Sequence, residues 1–368
     1  MIPPAASRFS VGLALGVTVL LVIVAALNVF PSIEAPRVVK LPKRREPSTA
    51  CLGGRRDECP AAPDEGMPGA RRWPADTLPV QLAALDDAIA RATSSPIAAI
   101  DARALPVLPA GSDAADARAS LAQQIVDFFE YGSRPFVAIP AYWNASATAA
   151  LRAEVLRFQS LGCAEPGEGA DMRTFECERY SELARTMRDD ALVADVARKY
   201  LGIEPDKPFK LHTVLAGHVA HTPGKLVASG GGWHRDAAFK GIKSMLYLEE
   251  VHRDNGPFTM LLNYDDALFA ELWDRADPKG RRSRFNDSVV HDALTARAQD
   301  AATQPGLPVP TALEILGAPG TLVIFLTHNI HRGKVIEQGE RTSITTYYNV
   351  GPPPGSAKYR NCKARRRA

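Results

Sequence analysis

The segment Gly230-Gly231-Gly232-Trp233-His234-Arg235-Asp236 sets an imidazole and a carboxylate two residues apart. In an extended segment residues i and i+2 point to one face, so both groups can reach one ion. Further on, the hydrophobic run Thr321-Leu322-Val323-Ile324-Phe325 leads into Thr327-His328-Asn329-Ile330-His331-Arg332-Gly333. A histidine at the end of a buried strand can look into a barrel. Two imidazoles and one carboxylate that leave coordination positions open form the ligand set of non-heme Fe(II) oxygenases. Alone, His-x-Asp has a plainer reading, a polar strand end closed by a His–Asp hydrogen bond, so the metal reading depends on both halves. His328 and His331 compete for the second imidazole, and their three-residue offset puts them on opposite faces of an extended segment.

Arg341 opens a strand-like run, Arg341-Thr342-Ser343-Ile344-Thr345-Thr346-Tyr347-Tyr348. Its guanidinium is permanently charged and matches a carboxylate bidentately. Ser343 shares its face and can donate a hydroxyl to the same group. In isolation Arg341 reads as half of a surface salt bridge. Lys240 and Lys243 follow the His-x-Asp motif within reach of a carboxylate, with no pattern that assigns either. His212, His218, His221, His252 and His291 have no such context and read as surface or barrel-wall residues.

The elements that must position these groups change character along the chain. Leu78–Thr93, Ala114–Tyr131, Ser146–Leu161 (with Ser146 as N-cap) and Ser181–Leu201 carry apolar residues at helical spacing, and Gly202 and Pro205 end the last. Pro135–Tyr142 reads as a strand. From Phe209 short β-branched and aromatic runs take over: Phe209–Val219, Met245–Val251, Pro257–Leu262, Thr321–Thr327 and Thr342–Val350. Turn residues such as Asp254-Asn255-Gly256-Pro257 separate them. Helices followed by many short strands imply an α+β domain with a jelly-roll barrel braced by helices. Residues 79–208 would form the bracing part and 209–351 the barrel. An insertion at 265–310 contains a helix at Asp287–Ala302 and stands where a lid would form. Its basic residues Lys279, Arg281, Arg282 and Arg284 read as a solvated face or an anion site.

The rest of the chain bears on location. Val11–Phe30 is an uncharged run of the length that crosses a bilayer as a helix, and longer than the apolar core of a cleaved signal. A short tail, 1–10, precedes it. Arg37, Lys40, Lys43, Arg44 and Arg45 follow it, so the positive-inside rule puts the catalytic part in the cytoplasm. Residues 31–78 read as a Pro/Arg-rich disordered linker and 352–368 as a basic tail. The net charge of +3 is too small to argue for nucleic acid. Five cysteines are too few for a disulfide scaffold and lack zinc spacing. Cys51/Cys59 and Cys163/Cys177 could pair locally only in an oxidising compartment.

The region from Phe209 to Asn349 resembles the phytanoyl-CoA dioxygenase-like branch of the Fe(II)/2-oxoglutarate oxygenases. Four pieces in order carry the resemblance: Trp233-His234-Arg235-Asp236, Leu246-Tyr247-Leu248 leading to Asn255-Gly256-Pro257-Phe258, His331-Arg332-Gly333, and Gly339-Glu340-Arg341-x-Ser343. The resemblance implies a double-stranded β-helix with His234, Asp236 and His331 as iron ligands, and the His-Arg-Gly context selects His331 over His328. It implies that Arg341, assisted by Ser343, holds the far carboxylate of 2-oxoglutarate. The implied reaction consumes O2, yields succinate and carbon dioxide, and hydroxylates a small-molecule or lipid-like substrate, with ascorbate as a possible reductant. Where family members continue into Pro-Gly-Ser-His, this chain has Met260-Leu261-Leu262-Asn263-Tyr264, which leaves the substrate open. Two other readings stand beside it: a membrane-tethered barrel without activity that serves as a scaffold, and a cupin-type metal enzyme independent of 2-oxoglutarate.

Overall fold

Apolar periodicity in the first half is realised as helices that pack on a sheet, in a computed structural model of the chain. The structure describes residues 77–105, 115–132, 134–166, 171–204, 211–222, 232–236, 240–276, 284–304 and 306–349. All belong to one unit, Pro63–Ala368. The expected anchor at 11–30, most of the linker, Cys51 and Cys59, Lys279, Arg281, Arg282 and the basic tail lie outside the described residues. Among those described, no helix is long and apolar enough to cross a membrane.

The first half runs α1 (Thr77–Ala92), β1 (Ile97–Asp101), α2 (Ala115–Glu130), β2 (Phe136–Ile139), α3 (Ala145–Ser160), β3 (Glu165–Pro166), β4 (Asp171–Phe175), α4 (Glu182–Arg188) and α5 (Ala191–Leu201). Two boundaries differ from expectation. Asn144, not Ser146, caps α3: its side chain accepts from the Ala147 N–H at 2.8 Å. The expected helix over Ser181–Leu201 breaks at Asp189-Asp190, because Asp190 turns its carboxylate onto the Val193 N–H at 3.0 Å and starts α5 as an N-cap. The same carboxylate accepts from the buried Tyr142 hydroxyl at 2.8 Å, which ties the break to the loop before α3. Gly202 ends α5 in the left-handed conformation, as its position implied.

The second half runs β5 (Leu211–Ala220), β6 (Trp233–His234), β7 (Gly241–Tyr247), β8 (Phe258–Leu262), α6 (Asp266–Ala276), β9 (Arg284–Phe285), α7 (Asp287–Thr303), β10 (Thr311–Leu316), β11 (Leu322–Leu326), β12 (His331–Gly333) and β13 (Glu340–Asn349). The strands form two sheets, ordered β2-β11-β7-β13-β5-β4-β3 and β1-β10-β8-β12-β6-β9. Pairs β5/β13, β13/β7 and β7/β11 are antiparallel in the first, and β6/β12, β12/β8 and β8/β10 in the second. Along the chain β5 to β8 alternate between the sheets, and so do β10 to β13. That is the double-stranded β-helix topology. The strand β1 adds to it in parallel beside β10.

Alternation along each strand divides the second sheet into two faces. Trp233, Leu261, Phe285 and Ile330 point outward and bury α6 and α7 through Leu268, Leu272, Val290 and Leu294. Among the described residues of 265–310, the two helices α6 and α7 therefore cover the outer face of the barrel. Between them runs β9, which pairs with β6. Cys177 is a free buried thiol that donates to the Thr174 carbonyl, so the local pair with Cys163 does not form; burial pushes the thiol up to about 12.

The Asn255-Gly256 turn fixes where β12 ends. The Asn255 amide donates to the Glu250 carbonyl at 2.7 Å and the Glu340 carbonyl at 3.1 Å, and its oxygen accepts from the His252 N–H at 2.8 Å. Gly256 has φ +78°, and a Cβ there would stand 2.6 Å from the Lys334 carbonyl and 2.7 Å from the Ile336 side chain. Gly202 also has positive φ, but a Cβ there meets nothing within 4 Å. Gly202→Ala is expected to cost only the left-handed backbone strain of roughly 1–2 kcal/mol, and Gly256→Ala that strain plus the displacement of its close neighbours. Urea denaturation midpoints of the two variants check the difference; equal losses would contradict the close packing at Gly256.

Candidate metal centre

The antiparallel pairing of β12 with β6 sets His331 directly opposite His234. Directly opposed residues share a face, so both imidazoles enter the barrel, with ring centroids 4.5 Å apart. Each Nδ1 lies 2.8 Å from a backbone carbonyl two residues earlier, Gly232 for His234 and Asn329 for His331. A carbonyl can only accept, so both Nδ1 carry the proton and both Nε2 are directed to the cavity. Asp236 stands two residues past His234, and its backbone N–H donates to the Thr327 carbonyl at 3.1 Å. Its carboxylate reaches both rings, with Oδ2 3.0 Å from His331 Nε2 and Oδ1 3.7 Å from His234 Nε2. His331 is buried, and the 24 % of the Asp236 side chain that is exposed faces the cavity.

The electrostatics suit a cation. Burial and the neighbouring His331 push the His234 imidazole down to about 3, so it is neutral at physiological pH, as a metal ligand must be. Burial alone would raise the Asp236 carboxyl, but the Lys243 ammonium, then His331 and His234, hold it well below the usual carboxylate range. Lys243 comes from β7, is buried, places Nζ 2.5 Å from Asp236 Oδ2 and lies 4.1 Å from the Tyr347 ring centroid. Two imidazole Nε2 atoms and one ionised carboxylate, whose ligand atoms lie within 4.8 Å of one another, fit a first-row divalent ion.

His328 is not one of the three. One other group of possible ligands occurs among the described residues, His218, Glu249 and Glu340. There Arg152 already pairs with both carboxylates, at 2.9 Å from Glu249 and in direct contact with Glu340.

The strand β13 supplies the opposite wall. In register, Arg341 lies opposite Val219, Ser343 opposite Gly217 and Tyr247, and Tyr347 opposite Lys243. Arg341, Ser343, Thr345 and Tyr347 thus line one cavity with the three candidate ligands, about 140 Å³ in volume. Arg341 is 3 % exposed, and its Nε and Nη1 have no hydrogen-bond partner. A buried cation with unsatisfied donors is costly, and an anion in the cavity removes the cost. Gly217 leaves open space next to Ser343, since a Cβ there meets nothing within 4 Å.

Sequence reasoning brought together His234, Asp236, His331, Arg341 and Ser343, and the structure lines one cavity with all five. It left Lys243 unassigned and did not single out Asp171 or Arg173, which also line it. The lysine had a readable signal: it interrupts the buried run Gly241-Ile242-Lys243-Ser244-Met245-Leu246-Tyr247. Asp171 and Arg173 had none, because β4 joins the barrel only through its pairing with β5. Lys240 is turned away, toward Glu130 at 3.3 Å.

No protein family matches the sequence in a scan of families, and no curated protein matches it either. Solved structures of similar fold do exist. The epimerase SnoN, solved with Fe3+, alpha ketoglutarate and nogalamycin RO, is 15 % identical over 62 % of this chain and 82 % of its own, with a TM-score of 0.44. A Pseudomonas putida prolyl-4-hydroxylase is 15 % identical over 63 % of this chain and 100 % of its own, with a TM-score of 0.39. HygX from Streptomyces hygroscopicus, solved with nickel and 2-oxoglutarate, is 12 % identical over 62 % of this chain and 86 % of its own, with a TM-score of 0.39.

Removal of the charge of the buried Lys243 leaves Asp236, whose side chain is 24 % exposed, without its ammonium partner. The pair is only half-buried, so the loss is expected to stay below the roughly 3–5 kcal/mol of a fully buried pair. Lys243→Met is expected to lower the melting temperature of the metal-free protein, and Mn(II) is expected to restore more stability to the variant than it adds to wild type. The depressed Asp236 pKa stabilises the fold above the ordinary carboxylate range, and that contribution fades as pH falls through the folded value. The melting deficit of Lys243→Met is therefore expected to shrink in acid. Thermal melts with and without Mn(II), at neutral and acid pH, check both.

Proposed function

We propose that this chain is an Fe(II)/2-oxoglutarate-dependent dioxygenase that hydroxylates a substrate C–H bond. The observation that carries the reading is the Arg341 guanidinium, buried with two unpartnered donors in the cavity that holds the His234–Asp236–His331 set. A metal site alone would not need that cation. A metal site beside a buried carboxylate receptor calls for a ligand with a metal-binding end and a distant carboxylate.

His234 and His331 would hold the ion through Nε2, each kept in the right tautomer by its carbonyl partner, and Asp236 would complete a face that leaves coordination positions open. Arg341 would take the far carboxylate of 2-oxoglutarate, with the Ser343 hydroxyl beside it. When bound, Fe(II), 2-oxoglutarate and O2 supply oxidative decarboxylation to succinate and carbon dioxide coupled to hydroxylation. The chain's own part is to hold, to orient and to keep water out, through the apolar walls Phe258, Met245 and Phe325. Asp236 fills the carboxylate position, where a small residue would leave room for a halide, so hydroxylation is favoured over halogenation.

The order of the four motif pieces supports the phytanoyl-CoA dioxygenase-like branch. The uncharged stretch at 11–30 and the basic residues after it support tethering to a membrane with the catalytic part in the cytoplasm, where a membrane-associated or lipid-like substrate is within reach.

Purified full-length protein with Fe(II), ascorbate and 2-oxoglutarate is expected to release succinate. Arg341→Gln removes one partner of a buried charge pair, a loss of about 2 kcal/mol or more. At 1.4 kcal/mol per tenfold that is a rise of at least about thirtyfold in the 2-oxoglutarate KM. Mn(II) affinity is expected to stay as in wild type. Metal binding with no response to 2-oxoglutarate, and no effect of Arg341→Gln, would instead identify a cupin-type metal enzyme. A folded protein that binds neither would be a scaffold barrel.

A further inference from the structure

We propose that Gly217 is a specificity-determining position for the 2-oxo acid co-substrate, whose carbon chain takes the space that the missing side chain leaves open. The inference rests on the dioxygenase reading and deepens it at the co-substrate end of the site. Gly217 lies inside the ten-residue strand β5. A glycine weakens a strand interior, because it has no side chain to pack and loses the most chain freedom on folding. Three needs of the fold commonly explain one there: a positive φ, a bulge, or the close approach of another part of the protein. None applies at 217. Gly217 is not among the glycines of positive φ. It pairs regularly on both sides, with Ser343 of β13 and Arg173 of β4, and the shift in the β5/β13 ladder falls elsewhere, between Thr346 and Tyr348. A Cβ at 217 meets nothing within 4 Å, whereas one at Gly256 would stand 2.6 Å from a carbonyl.

The remaining reason for a strand glycine is a ligand that comes close to the backbone. Gly217 lines the metal cavity. Ser343 stands directly opposite it and shares its face, and Arg341 lies two residues back along β13 on the same face. At the other end of that face Tyr347 stands opposite Lys243, whose ammonium is 2.5 Å from the candidate ligand Asp236. A dicarboxylate that reaches from the metal to Arg341 therefore passes the level of Ser343, where the gap at 217 adjoins it. The cavity measures about 140 Å³, so the three carbons of a valine side chain would take a large part of the room. The strand itself would gain from them, since β-branched residues favour strands. Stability and co-substrate binding thus pull in opposite directions at this position, as expected where a residue is kept for function.

The test compares wild type, Gly217→Ala and Gly217→Val as full chains loaded with Mn(II). Each is titrated calorimetrically with 2-oxoglutarate and with oxalate, a chelator that ends at the metal. Gly217→Val is expected to bind 2-oxoglutarate at least tenfold more weakly than wild type, with oxalate binding unchanged. Gly217→Ala is expected to fall between the two and to melt at or above wild type, and it carries the test should the valine variant fail to fold. Three results would overturn the inference. One is 2-oxoglutarate binding as in wild type in the bulkiest variant that folds. Another is an equal loss of 2-oxoglutarate and oxalate binding, which would put the defect at the metal end. The third is a lower melting temperature in Gly217→Ala, which would give the glycine a role in the fold. Failure of wild type to take up Mn(II) and 2-oxoglutarate is a separate outcome, and it overturns the dioxygenase reading and this inference together.

Discussion

The register between β12 and β6 is the constraint on which the site depends. With side chains alternating along a strand, a slip of β12 by one residue would turn His331 into the outer core and bring Arg332 into the barrel. Several features outside the site hold that register. Trp233, Phe285 and Ile330 are buried against α6 and α7, and Arg332 sits between Asp287 and the Trp233 ring. The Asn255-Gly256 turn packs on the segment that leaves β12, with Gly256 directly against the Lys334 carbonyl. Apolar burial on one face of the sheet is thus what aims the polar groups on the other.

Given that register, the remaining question is how a barrel interior tolerates so many charges. Most are matched in place, Lys243 by Asp236 and Arg173 by Asp171. Such pairs rarely add stability over an apolar replacement, and their retention inside a cavity is more simply understood as a cost carried for function. Arg341 differs from the other two in having buried Nε and Nη1 with no partner. The two imidazoles are likewise incomplete as they stand, each with Nδ1 committed to a carbonyl and Nε2 directed inward. The metal ligands and Arg341 call for different partners, a cation and an anion, within one enclosed space.

Much of this was legible in the sequence. His234 and Asp236 at a spacing of two, a histidine after a buried strand, and Arg341 and Ser343 alternating on another strand are local patterns, and local patterns survive in one dimension. The apolar spacing of α1, α2 and α3 also fixed those helices to within a residue or two. What was not legible depends on partners distant in the chain. Asp171 and Arg173 reach the cavity only because β4 pairs with β5, and Arg284 only because β9 pairs with β6. The strand β10 hides a buried glutamate, Glu314, whose match is Lys334 on another segment at 3.3 Å. The break between α4 and α5 was missed because an aspartate in a helical run reads as a solvated face until Tyr142 is seen to reach it.

The most direct test of the account is whether one metal ion and one 2-oxoglutarate bind together, with the second depending on the first. Calorimetric titration of the full-length protein with Mn(II) is expected to give one site per chain, lost in Asp236→Ala. Titration with 2-oxoglutarate is then expected to give one site that appears only when Mn(II) is present. Binding of Mn(II) that survives Asp236→Ala, or 2-oxoglutarate binding of equal strength without metal, would contradict the assignment of this cavity as a metal and co-substrate site.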